Sequence, residues 1–105
     1  MKIIYNPCKN LLIKKYPFVA DQTAMLERMK EHQINFTLQL QTLNVYIFTE
    51  WVDATDKYYL DVSVCWCNET IDNASHSTFD YDLQSFEDAC HWIDTQRIDF
   101  AKQLL

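Results

Sequence analysis

The chain contains no glycine. Average usage of about 7% would place about seven in a chain of this length. Glycine lets backbone enter the φ > 0 region and approach a ligand closely. Without it, every chain reversal must be built from residues that carry a side chain, with Asn, Asp, Thr and Pro the natural choices. Several function classes lose their signature together. There is no G-x-x-x-x-G-K-[ST] phosphate loop, no G-x-G-x-x-G dinucleotide turn and no G-x-S-x-G nucleophile elbow. The glycine of a calcium loop and the GXXG clamp for RNA are also missing.

The 105 residues fit one domain, 1–105. Hydrophobic residues make up 49%, enough for a packed core. Apolar runs are short, so no membrane span is expected. Asn6-Pro7 interrupts the start too early for a signal sequence. A cytoplasmic location follows, with Cys8, Cys65, Cys67 and Cys90 reduced.

Charge divides the chain. Residues 1–19 carry four lysines and no acid, whereas residues 20–105 carry five bases and fifteen acids. The first part reads as a basic apolar arm or edge strands, the second as an acidic α+β core. Such a surface repels nucleic acid and attracts a basic partner.

Lys2–Tyr5 and Leu11–Lys15 are short apolar pieces, strands or an extended arm. Tyr16-Pro17-Phe18 breaks any helix before Asp21. Asp21 then reads as the N-cap of a helix running to about Gln33, with Met25, Leu26 and Met29 on one side. Ile34, Phe36, Leu38 and Leu40 alternate with polar residues, the pattern of a half-buried strand. The apolar set then shifts to Leu43, Val45 and Ile47. A phase slip sends side chains to the other face unless the chain reverses, so a turn is expected near Gln41–Asn44. The second strand ends near Val52, and Asp53–Asp56 makes the next turn. In the third strand, Lys57–Cys67, residues Tyr58, Leu60, Val62, Val64 and Trp66 share one face. Asn68–Ser77 reads as a polar loop and Thr78–Tyr81 as a possible fourth strand. Ser85 with Asp88 reads as the start of the last helix. The expected fold is α+β: an antiparallel meander of three or four strands with two helices on one face.

The second sheet face carries Tyr46, Phe48 and Glu50 from one strand and Tyr59, Asp61, Ser63, Cys65 and Cys67 from the next. Large aromatics on a polar face form either a binding surface or the floor beneath another segment. The arm is long enough to cover part of it, so a covered and an open face are both compatible with the sequence.

Site chemistry is sparse. Cys65-x-Cys67 with His76, Cys90 and His91 is the one metal-like set, but its spacing is poor for zinc. Cys90 falls on the apolar stripe of the last helix. Cys90 and His91 point about 100° apart on a helix, which is no dyad. His32 and His76 read as surface residues. The paired acids Asp53 and Asp56, and Asp80 and Asp82, read as a solvated face. No enzymatic activity, cofactor or metal is expected. Helix, three strands and helix resembles the element order of double-stranded-RNA-binding domains. The last helix, however, opens with Ser85-Phe86-Glu87-Asp88, acidic where that family presents lysines, so RNA binding is not expected.

Interaction is the better reading. Tyr46, Phe48, Glu50, Asp53, Asp56, Tyr59, Asp61, Asp80 and Asp82 are the candidate partner-binding residues. Carboxylates two apart on a strand lie about 7 Å apart, comparable with successive phosphates on one nucleic-acid strand. In general terms the chain resembles phage-encoded anti-CRISPR proteins, which are short, often acidic and without enzymatic motifs; the likeness is one of class. It implies an inhibitor that blocks the basic surface of a nuclease or CRISPR effector complex. An immunity protein or antitoxin, and a subunit or homodimer using the aromatic face, are the alternatives.

Overall fold

The computed structural model describes residues 7–33, 35–40 and 42–103. Helix α1 (Pro7–Lys15) starts on proline, whose missing N–H costs nothing there, and ends on Lys14 and Lys15, favourable at the negative end of a helix. The expectation of a strand or extended arm at Leu11–Lys15 is therefore corrected. Cys8 and Leu12, four apart, are fully buried on one side of this helix, a period that excludes a strand. The piece Lys2–Tyr5 lies outside the described residues.

A 3-10 turn at Pro17–Ala20 leads into α2 (Gln22–His32). Asp21 caps α2 as expected, its side chain accepting from the Ala24 N–H at 3.1 Å. Met25, Leu26 and Met29 are buried. Gln33 ends the helix in the left-handed region, φ 51°, where glycine is usual. That conformation costs a residue with a Cβ roughly 1–2 kcal/mol. Gln33→Gly is expected to stabilise the fold by about 0.5–1 kcal/mol after the added freedom of the unfolded chain is counted, read as a higher urea midpoint.

Four strands follow in a meander: β1 (Phe36–Leu40), β2 (Leu43–Val52), β3 (Lys57–Trp66) and β4 (Ser75–Asp80), each antiparallel to its neighbour. Leu40 pairs with Leu43, so the first reversal falls between these two residues. Asn44, expected from sequence in the turn, lies instead in β2, between Gln39 and Cys65. Asp53–Asp56 does form the second reversal. Asp56 supplies φ 55°, a conformation aspartate tolerates better than most side chains. A polar connection with a 3-10 turn at Ile71–Asn73 enters β4. The fourth strand starts at Ser75 rather than Thr78, which moves His76 from the expected loop into the sheet.

Helix α3 (Leu83–Lys102) is capped by Asp82, not Ser85: the Asp82 carboxylate accepts the Ser85 N–H at 2.7 Å. Phe86, Ala89, Cys90 and Ile93 are fully buried. All three helices share one core with Phe36, Val45, Ile47, Leu60, Val62 and Val64 on the inward sheet face. Three helices, not two, thus cover that face, because the N-terminal segment joins them. Trp66 meets Phe100 edge-on at 4.9 Å, and Phe79 meets Trp92 at 6.2 Å.

Two carboxylates join the helices with opposite pH behaviour. Burial pushes Glu87 up, but hydrogen bonds from Lys9 of α1 and Gln22 of α2, with the charges of Lys9 and His91, bring it below its usual value. Burial pushes Asp94 above its usual value; Arg97 at 3.8 Å, the Cys8 N–H and His91 offset only part. Glu87 therefore contributes stability that is present above its unfolded pKa and lost as pH falls through the depressed folded one. Asp94 does the reverse: stability is highest below its unfolded pKa and declines as pH rises through the raised folded one. The two windows lie on either side of about pH 4. Glu87→Gln should flatten the acid loss and Asp94→Asn the decline on the other side, measured as urea midpoints across pH 3–6.

Candidate partner-binding face

The sheet face away from the helices is built by alternation. Pairing across β1–β4 sets the side chains in rows. Thr37, Tyr46, Ser63 and His76 form one row, Phe48, Asp61 and Thr78 the next, and Glu50, Tyr59 and Asp80 the third. The described part of residues 1–19 does not cover them. It packs on the helix side, with Cys8, Leu12 and Val19 in the core. Tyr46 and Phe48 stack at 6.0 Å. Both rings are half-buried, while Glu50 and Asp80 are exposed on either side of half-buried Tyr59.

Six of the residues expected from sequence are brought together here: Tyr46, Phe48, Glu50, Tyr59, Asp61 and Asp80. The other three are not on the face. Asp53 and Asp56 sit in the β2–β3 turn, where Asp53 accepts the Trp51 indole N–H at 2.5 Å. Asp82 caps α3, so it does not continue the strand spacing from Asp80. A carboxylate that satisfies a helix terminus or an indole presents less charge to a partner.

His76 was missed by the sequence reading, and it changes the meaning of Asp61. Its Nδ1 lies 2.8 Å from the Asp61 carboxylate and 3.3 Å from the Ser63 hydroxyl. The three side chains carry the residue types of a hydrolytic triad without its geometry. A relay needs acid and nucleophile on opposite ring nitrogens; here both meet Nδ1. The group braces β3 against β4, with the Asp61 carboxylate paired to His76. The available signal was the alternation of His76, Thr78 and Asp80 with Ser75, Ser77 and Phe79.

The cysteines do not assemble a centre. Cys90 lies in the helix-side core beside Cys8, whose thiol is held well above its ordinary pKa by its contact with Cys90 and by burial. Cys65 is buried on the other sheet face, and its thiol is raised by burial, then by Cys67 and Glu69. Thiols kept protonated are poor nucleophiles. Among the described residues no group of three His, Cys, Asp or Glu side chains is placed to hold a metal ion. No described helix is long and apolar enough to cross a membrane.

No protein-family model matches the chain, and no curated protein or solved structure matches it.

Proposed function

We propose that the protein acts by binding, presenting its acidic, aromatic sheet face to a basic protein surface that otherwise holds nucleic acid. The observation that carries this reading is the row Glu50–Tyr59–Asp80, with Asp61, already paired to His76, two residues along β3. Neighbouring strands are about 4.8 Å apart and alternate residues about 7 Å. The carboxylates therefore surround one ring at spacings that suit lysines and arginines arranged for phosphates. Tyr46, Phe48 and Tyr59 supply anchors of the kind that dominate interfaces. The surrounding field, fifteen acids against nine bases, speeds encounter with a cationic partner. The particular form proposed is an inhibitor of a nucleic-acid-handling complex, of the anti-CRISPR kind.

Capture of partners from lysate, followed by elution with increasing salt and with short DNA or RNA duplexes, tests this. The expected result is a nuclease or effector complex released by nucleic acid and by salt. Recovery of the bait alone, or a partner indifferent to nucleic acid, rejects it.

The stacked Tyr46–Phe48 pair also suits self-association through the same face. Light scattering distinguishes the readings: a monomer of 12.6 kDa keeps the face for another protein, and twice that mass assigns it to a homodimer.

A further inference from the structure

A cleft of about 430 Å³ opens where the C-terminal part of α2, the β2–β3 turn and the end of β4 meet. Its aromatic lining is Trp51, Tyr58 and Tyr81. None of these belongs to the sheet face described above. The Trp51 and Tyr58 rings lie 4.8 Å apart and inclined by 63°; Tyr58 and Tyr81 lie 5.9 Å apart and inclined by 46°. With Tyr58 inclined to both its neighbours, the rings line the cleft as a wall instead of a flat stack.

Two of the rings are fixed from outside the cleft. The indole N–H of Trp51 is held by Asp53, although 43% of the residue is exposed. The Tyr81 hydroxyl donates to the Leu26 carbonyl of α2, and burial pushes its pKa up to about 12. It stays a neutral donor. An exposed aromatic that is already oriented loses little rotamer freedom when a ligand arrives.

The polar lining leans towards a cation only slightly, since Asp82 is engaged at the α3 N-terminus. Asp56, Asp80 and Asp82 line the cleft together with Lys30 and Lys57, three carboxylates against two ammonium groups, within a chain of net charge −6. A cation is drawn to the negative face of an aromatic ring. Guanidinium suits the site better than ammonium. It is planar, less strongly hydrated, stacks on aromatic faces and bonds carboxylates through a fork.

We propose that this cleft binds the guanidinium of an arginine side chain supplied by a basic partner, stacked on the Trp51–Tyr58–Tyr81 wall and hydrogen-bonded to Asp56 and Asp80. The inference rests on the proposed binding function and adds an arginine-specific contact that adjoins the sheet face and shares Asp80 with it.

The test uses N-acetyl-arginine amide, N-acetyl-lysine amide and inorganic phosphate as probes, followed by heteronuclear NMR. Arginine amide should shift the Trp51 indole N–H saturably in the millimolar range, with lysine amide at least threefold weaker and phosphate without effect. A hexa-arginine peptide, followed by calorimetry, should lose at least fivefold in affinity with Trp51→Ala or Asp56→Asn and recover with Trp51→Phe. Asparagine keeps the tolerance for φ > 0 needed at position 56. Absence of saturation with arginine amide, unchanged affinity in Trp51→Ala, or phosphate binding in its place overturns the proposal. A captured partner that Trp51→Ala holds as tightly as wild type overturns the arginine contact alone. Arginine binding with no basic partner ever captured overturns the proposed function and leaves the cleft.

Discussion

Leu12→Ala is expected to destabilise the protein by about 2–5 kcal/mol, the range for removing a fully buried leucine from a packed core. Leu12 has no exposed surface, and neither has Cys8 one turn earlier. Both pack in the core that α1 shares with α3 and the sheet. A domain of this size has about 5–15 kcal/mol in all, so the loss removes a large fraction of it. Leu11, 41% exposed, is the control: its alanine variant should stay within about 0.5 kcal/mol of wild type. Urea unfolding of the two variants separates a core helix from a detachable arm. Equal, small effects would mean that the N-terminal segment contributes little to the core.

The second large effect is expected at the sheet face. Glu50→Lys with Asp80→Lys places like charges opposite a basic partner on both sides of Tyr59. Such juxtaposition costs several kcal/mol, and each 1.4 kcal/mol is tenfold in affinity. Association should therefore weaken on the order of a hundredfold or more, with the loss largest at low salt. Both positions are exposed, so the double variant should unfold at nearly the wild-type urea midpoint. A stably folded variant that still binds within threefold of wild type would exclude this face as the docking surface.

The two expected effects draw on parts of the chain that were unequally legible. The alternation of Phe36, Leu38 and Leu40, then Leu43, Val45 and Ile47, placed β1, its reversal and β2 because strand period is a local property. The same period put Tyr46, Phe48 and Glu50 on one sheet face with Tyr59, Asp61 and Ser63; their pairing is a finding of the structure. Helix α1 was not legible. Among its described side chains only Cys8 and Leu12 are fully buried, and two positions separated by Lys9, Asn10 and Leu11 do not announce a helical face. His76 was hidden by the polar run before it, which reads as loop until Phe79 is known to pack against Trp92.

The acids show the limit most clearly. From sequence, Asp53, Asp56, Asp61, Asp80 and Asp82 look alike. In the folded protein Asp82 serves a helix terminus, Asp53 an indole and Asp61 a histidine, whereas Asp80 remains exposed between a tyrosine and a cleft. The cleft itself depends on Tyr81 reaching a carbonyl 55 residues away.

What the sequence determined by itself is local: the strand period, the face each side chain takes, the turn at Asp53–Asp56 and the acidic field of the whole chain. The absence of glycine belongs with these, since it obliges Gln33 and Asp56 to accept φ > 0 with side chains attached. Only the tertiary structure decided which side the N-terminal segment covers, which carboxylates keep their charge free and where three aromatic rings converge. Those outcomes depend on contacts between residues far apart in the chain, and no local period or spacing encodes them.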